Sequence, residues 1–239
     1  MKLIKYLELT FPGAAENLAC DEALLDYCEN RQADGLLRIW EPENRFVVLG
    51  YSNRVATEVD LPACKRLGIP LFRRFSGGGT VLQGPGCLNY TLVASSTLLG
   101  NIPESYEFVL KRHQSCLSEL LGMEVEIRGG NDLAISGRKI SGNAQHRKRH
   151  FTLVHGTVLL KMDVSVMEQV LPMPSKEPAY RRSRSHADFL MNLRVASESV
   201  KRALRAVWSA QEEFGDVPHE RIVELLGERY SRGEWNLKF

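Results

Sequence analysis

An excess of charge of either sign is missing from this sequence. Its 239 residues carry 31 Lys+Arg against 29 Asp+Glu, a formal net charge of +2. That balance argues against a dedicated nucleic-acid binder, whose footprint is a strong basic excess. Cysteine is scarce: the five (Cys20, Cys28, Cys64, Cys87, Cys116) are odd in number and form no Cys-x-x-Cys spacing. A disulfide framework is therefore excluded, and a reduced, cytoplasmic protein with cysteines as small core residues is expected. Long apolar runs are also lacking. No stretch approaches the ~18 apolar residues of a membrane span, and the start, MKLIKYLELTF, has no signal-peptide core of ~7–15 apolar residues. Internal repeats and low-complexity linkers are absent too. What remains is 44% hydrophobic and 25% charged, ordinary globular values that exclude disorder, collagen and coiled coil. A chain of this length buries ~70–75% of its unfolded surface and needs no disulfide or metal staple.

The pattern of apolar and turn residues gives the organisation. A strand at Leu3–Leu9 leads through Pro12-Gly13 into a helix near Ala15–Cys28, where Leu18, Leu25 and Cys28 share a face. Strands follow at Gly35–Trp40 and Phe46–Tyr51, then a short helix at Leu61–Leu67 stopped by Gly68. Further strands are expected at Leu71–Phe75, Thr80–Gln83 and Leu88–Val93, and a helix at Pro103–Leu121 ended by Gly122. A second strand run covers Glu124–Arg128, Asp132–Ile135, Arg138–Ala144 and Thr152–Leu160. From Val164 the chain reads mainly as helix. Strand runs interleaved with helices predict an α+β fold, with mixed or mostly antiparallel sheets and flanking helices.

Two segments carry chemistry. In Arg73-Arg74-Phe75-Ser76-Gly77-Gly78-Gly79-Thr80-Val81, a strand with two arginines runs into three glycines. Glycines let backbone N–H groups approach an anion, and guanidinium forks suit carboxylate or phosphate. No Lys-Ser/Thr follows, so this is not a Walker A loop; the same residues also suit a plain hairpin turn. The second segment is Asn131-Asp132-Leu133-Ala134-Ile135-Ser136-Gly137-Arg138-Lys139-Ile140-Ser141-Gly142-Asn143-Ala144. Ser136-Gly137 predicts a two-residue hairpin turn pairing Ile135 with Arg138, Ala134 with Lys139, Leu133 with Ile140 and Asp132 with Ser141. Alternation then places Asp132, Lys139, Ser141 and Asn143 on one face and Leu133, Ile135 and Ile140 toward the core. The polar face looks like the floor of an anionic-ligand site, although an exposed hairpin with a weak surface ion pair would share the pattern.

Taken in order with Gly84-x-Gly86-x-Leu88-Asn89, His155-Gly156-Thr157 and the N-terminal Glu16-Asn17-Leu18-Ala19…Asp21-Glu22, these segments resemble the lipoate–protein ligases over roughly residues 1–195. The resemblance implies a biotin/lipoate ligase-like catalytic domain filling 1–239 as one unit, with 195–239 its helical C-terminal part. It implies activation of lipoate or octanoate by ATP to an acyl-adenylate, then transfer to a lysine of a lipoyl-domain acceptor. A dehydrogenase E2 subunit or a glycine-cleavage H protein would be such an acceptor. It assigns Lys139 to the acyl carbonyl and α-phosphate, where negative charge develops. Arg73, Arg74, Ser76 and the backbone of Gly77, Gly78, Gly79, Thr80 and Val81 would hold phosphate and carboxylate. Asn131 and Asp132 would hold nucleotide or Mg²⁺, with Asp132 as the metal ligand. Ser141 and Gly142 would complete the site, and His155 would line the acyl tunnel or orient the acceptor.

Many family members carry a small further domain beginning near a segment like Gly233-Glu234-Trp235-Asn236-Leu237-Lys238-Phe239. The resemblance thus implies that this accessory domain is absent or supplied as a separate subunit. The nearest rival is an octanoyl or lipoyl transferase acting through a cysteine thioester. Leu121–Asp132 contains no cysteine and none follows Cys116, which leaves Cys87 as the candidate. A non-catalytic binding protein is the other rival. Its basic runs would be His146-Arg147-Lys148-Arg149-His150 and Arg181-Arg182-Ser183-Arg184, but no helix-turn-helix precedes the ligase-like region. The first run reads as a solvated loop or as a contact for an acidic lipoyl domain. Neither nucleic acid nor membrane is expected as a partner.

Overall fold

In Gly35–Trp40 all six residues are buried, including Arg38. A strand apolar on both faces belongs inside a sheet covered on both sides. The computed structural model, which describes residues 3–32 and 34–239, places it there. The larger sheet has seven strands in the order β1 (Ile4–Glu8), β2 (Gly35–Trp40), β6 (Cys87–Ser95), β10 (Phe151–Leu159), β9 (Arg138–Arg147), β8 (Asp132–Ile135) and β7 (Glu126–Arg128). Only the β1–β2 pair is parallel. A three-stranded sheet in the order β4 (Leu71–Arg73), β3 (Phe46–Leu49), β5 (Val81–Gln83) lies beside it, with β3 and β4 parallel. The architecture is α+β with mixed sheets and flanking helices, as the sequence predicts.

Helices cover both faces of the large sheet. On one side α1 (Ala14–Arg31) and α9 (His219–Leu225) pack Leu18, Leu25, Ile222 and Leu225 against Leu36, Val93 and Leu153. On the other, α5 (Ile102–Leu121) and α8 (Ser197–Val207) pack Val109, Leu117, Val200 and Leu204 against Leu37, Ile39 and Tyr90. Successive β2 residues thus feed opposite cores, the period-2 consequence of the pleat. A third core joins the small sheet to α3 (Leu61–Leu67) and α6 (Val164–Val170) through Val47, Cys64, Met167 and Val170. Short helices α2 (Val55–Glu58), α4 (Ser96–Leu99), α7 (His186–Phe189) and α10 (Gly233–Asn236) fill connections.

Local signals explain the boundaries that match expectation. Asp60 caps α3 by accepting from the Ala63 N–H at 2.8 Å, Pro62 suits its first turn, and Gly68 ends it at φ +63°. The hairpin β8–β9 turns at Ser136 and Gly137, with φ of +49° and +73°, the left-handed pair of a type I′ turn. Its first two pairs, Ile135–Arg138 and Ala134–Lys139, are as expected. Beyond them the register shifts: Leu133 pairs with Ser141 and Asp132 with Gly142, because a bulge leaves Ile140 unpaired and buried in the core. Of the basic run, His146 and Arg147 end β9 and only Lys148, Arg149 and His150 make the β9–β10 turn, which is clasped from behind. Lys148 pairs with Asp26, and Glu29 of α1 accepts from the N–H groups of His150 and Phe151. Among the described residues, no helix is long and apolar enough to cross a membrane.

Candidate functional site

A cavity of about 400 Å³ opens where the glycine loop after β4, the β8–β9 hairpin and His155 of β10 converge. Its polar floor comes from the hairpin. Lys139 Nζ sits 2.7 Å from Asp132 Oδ1, and the Tyr180 hydroxyl donates to Asp132 Oδ2 at 2.9 Å. Burial and then the Asp132 charge push the Tyr180 phenol well above its ordinary range, so it stays a donor. A Cβ on Gly142 would stand 2.6 Å from Lys139 Nζ, so the missing side chain leaves room for the ammonium. Asn131 lines the cavity and is locked in place by reciprocal 2.8 Å bonds between its side chain and backbone and those of Asn143. Leu18, Trp40, Val48 and Ala144 give the cavity an apolar wall.

The glycine loop supplies Gly79, Thr80 and Val81 to the lining. Gly77, Gly78 and Ser76 are outside that lining: the two glycines are exposed, with Gly77 O accepting from Arg74 at 2.6 Å, and Ser76 is fully buried. Arg74 lines the cavity but turns its donors onto the loop, holding Gly77 O, Gly79 O and Ser76 Oγ. Burial lowers its pKa to about 10, still a cation at neutral pH. Arg73 does not line the cavity at all. Strand alternation turns it the other way, where it is fully buried and donates to Gly50 O, Tyr51 O, Asn53 O and Trp235 O. The expectation that it grips phosphate is corrected: its Nε and Nη1 go to backbone carbonyls, and its buried Nη2, without a hydrogen-bond partner among the described residues, is turned away from the cavity with them. Ser141 is likewise buried outside the lining, its hydroxyl on Asn143 Oδ1.

Asp132 was expected to hold Mg²⁺. Both its oxygens are already engaged, and among the described residues no three His, Cys, Asp or Glu side chains gather as a metal cage. Its contacts here are the Lys139 ammonium and the Tyr180 hydroxyl. His155 does line the cavity, with Nε2 2.7 Å from Ser76 Oγ and Nδ1 3.1 Å from Asp21 Oδ2. The sequence reading places Asp21 in the N-terminal motif without a role and does not single out Tyr180. Asp21 sits at Leu18+3 on an otherwise apolar helix face, which was the available signal; Tyr180 had none beyond its place beside the Arg181–Arg184 run.

The five cysteines stay out of the cavity. Four are buried and Cys116 is half-buried. Burial pushes all five thiols up, Cys87 and Cys28 to about 12.

The lipoyl protein ligase A/B catalytic-domain model matches residues 13–207. The chain belongs to that family. It is 30% identical to an octanoyltransferase, LipM, from Carboxydothermus hydrogenoformans, with both chains covered in full. Its fold matches a bi-partite lipoate protein ligase from Thermoplasma acidophilum, solved in a study with its E2 lipoyl domain. That match has a TM-score of 0.84 and 26% identity, covering 99% of this chain and 97% of that one. A lipoate-protein ligase A bound with ATP gives a TM-score of 0.80 and 26% identity, covering 99% and 98%. This lipoyl-ligase fold therefore serves relatives named for two reactions, ATP-driven ligation and octanoyl transfer.

One glycine of the domain makes a direct prediction. A Cβ on Gly50 would lie 2.1 Å from Gly78 O and 2.6 Å from Asn53 Oδ1, closer than any real Cβ contact. Gly50→Ala is expected to displace the glycine loop and, if that loop receives an anionic group of the ligand, to raise its KM by roughly tenfold. Steady-state kinetics on the folded variant checks it; an unchanged KM would show that the loop position does not matter.

Proposed function

We propose that this chain is an ATP-dependent lipoate–protein ligase. In this reading the carboxylate of lipoate, or of octanoate, attacks the α-phosphate of ATP, giving an acyl-adenylate and pyrophosphate. The ε-amine of a lysine on a lipoyl-domain acceptor then attacks the acyl carbon, releasing AMP and forming an amide. The observation that carries it is the contrast inside the cavity: a lysine ammonium aimed by a carboxylate is present, and a thiol is not. A ligase needs no enzyme nucleophile, whereas a cysteine-dependent transferase needs one at the acyl carbon.

The residues suit the parts of the task. Two anions must meet, and Lys139 offers a fixed cation where charge develops on the phosphoryl and acyl oxygens. Gly79, Thr80 and Val81 present backbone to the nucleotide, while Leu18, Trp40, Val48 and Ala144 offer an apolar surface for the acyl chain. The T. acidophilum relative is bi-partite, and a separate accessory subunit acting in adenylation is proposed here on the same grounds.

Pyrophosphate release is expected with ATP and lipoate together and with neither alone, and a candidate lipoyl domain should accept the acyl group. Cys87→Ser and prior thiol alkylation are expected to leave the rate within about twofold, since buried thiols away from the reacting atoms contribute little. Transfer from an octanoyl thioester to the lipoyl domain without ATP, lost on Cys87→Ser, would establish the transferase reading instead. Omitting and adding an accessory subunit in the same assay tests whether adenylation needs it.

A further inference from the structure

A line of buried side chains runs from β2 to the glycine loop. Arg38, fully buried, donates Nη1 to Asp21 Oδ1 at 2.6 Å and spends its other donors on Leu9 O, Asn17 O and Asn17 Oδ1. Asp21 Oδ2 lies 3.1 Å from His155 Nδ1, and His155 Nε2 lies 2.7 Å from Ser76 Oγ. Ser76 Oγ accepts from Arg74 Nε at 3.1 Å, and Arg74 Nη2 holds Gly77 O and Gly79 O at 2.6 and 2.8 Å.

The charged groups fix the outer bonds of this line, and a neutral imidazole sets the bond between His155 and Ser76. Guanidinium groups only donate. Burial alone would raise the Asp21 pKa, but the hydrogen bond from His155 and the charge of Arg38 outweigh it and hold the group below its ordinary value. Asp21 therefore only accepts. With a neutral imidazole between Asp21 and Ser76, Nδ1 carries the proton toward Asp21 and Nε2 accepts the hydroxyl hydrogen of Ser76. The far end acts on the backbone. In a planar trans peptide the C=O and the following N–H point in opposite directions, so carbonyls of Gly77 and Gly79 turned onto Arg74 turn the N–H groups of Gly78 and Thr80 away from it. Among the described residues neither N–H has a backbone acceptor.

We propose that Asp21, His155 and Ser76 are positioning residues: Asp21 fixes the His155 tautomer, and through Ser76 that tautomer sets Arg74 and the anion-receiving face of the glycine loop. The inference rests on the reading that this loop receives the phosphate or carboxylate of the ligand. It assigns work to Asp21 and recasts Ser76 and His155 from ligand contacts to supports. It also makes a chemical distinction that simple packing would not. A side chain at 155 with one donor and one acceptor keeps the line's polarity; an apolar one of similar size breaks it.

The test compares wild type, Ser76→Ala, His155→Gln and His155→Leu for kcat and for KM toward ATP and lipoate by pyrophosphate release, with thermal unfolding alongside. Ser76→Ala and His155→Leu are expected to raise KM roughly tenfold to a hundredfold with a smaller change in kcat. His155→Gln, whose amide can donate to Asp21 and accept from Ser76, should recover most of that loss. Equal KM values for Gln and Leu at 155, or a wild-type KM in Ser76→Ala, would overturn the proposal. A wild type that releases no pyrophosphate sinks the ligase reading and not this one: the variants are then compared for acyl transfer from an octanoyl thioester, where the same ordering is expected and its absence overturns the relay.

Discussion

Lys139→Ala is expected to abolish acyl-adenylate formation while leaving the fold intact. The ammonium stands 2.7 Å from Asp132, with its side chain about a quarter exposed, on a hairpin whose core contacts come from Leu133, Ile135 and Ile140 instead. Its loss therefore removes charge from the cavity without opening the core. A preorganised donor aimed at developing charge is worth about 10²–10³ in rate. In the proposed ligation the group also offsets repulsion between two anionic substrates, so the loss should reach at least the upper end of that range. Pyrophosphate release by the purified variant, with circular dichroism to confirm folding, measures it. Near wild-type release would remove Lys139 from the reaction. Lys139→Arg is not a conservative control, because a planar fork cannot occupy the space that Gly142 leaves for a compact ammonium.

The second large effect is on stability. Asp21→Ala leaves Arg38 as a cation with no counter-charge in a fully buried position. Breaking one side of such a pair typically costs about 3–5 kcal/mol. Urea unfolding should show a lowered midpoint with an unchanged slope, the sign of lost stability rather than a changed denatured state. pH offers an independent check. The folded-state pKa of Asp21 lies below its ordinary value, so its contribution is present above the unfolded carboxylate pKa and is lost as pH falls through the folded one. The stability gap between wild type and Asp21→Asn should thus be widest near neutrality and close in acid. A gap that stayed constant with pH would mean that the Asp21 charge does not contribute.

Local signals made much of this molecule readable beforehand. The stop at Gly68, the turn at Ser136-Gly137 and the buried run Gly35–Trp40 each depend on a few adjacent residues, and each lies where expected. What failed depended on partners far along the chain. The bulge at Ile140 answers to packing under the hairpin, so the last two predicted pairs slipped by one. Arg73 and Arg74 looked equivalent as a charged pair. The pleat was the warning that neighbours on a strand face opposite ways, but only the folded chain shows which side meets the cavity. Asp21 was hidden more deeply. A carboxylate on a helix reads as a solvated residue until Arg38 and His155 are brought to it, 17 and 134 residues away.

The reassignment of Arg73 bears on when the site comes into being. Its backbone N–H is held by Asn236 Oδ1, its Nε by Trp235 O, and the Trp235 indole donates back to Arg73 O, contacts that reach across 162 and 163 residues. During synthesis the strand that leads into the glycine loop leaves the ribosome long before these anchors exist. Contacts of such separation form late, because closing a long loop costs entropy before anything rewards it. The two sheets can therefore be in place around an unset loop. The strand that leads into the glycine loop is thus set only when Trp235 and Asn236, made 162 and 163 positions later, dock against Arg73.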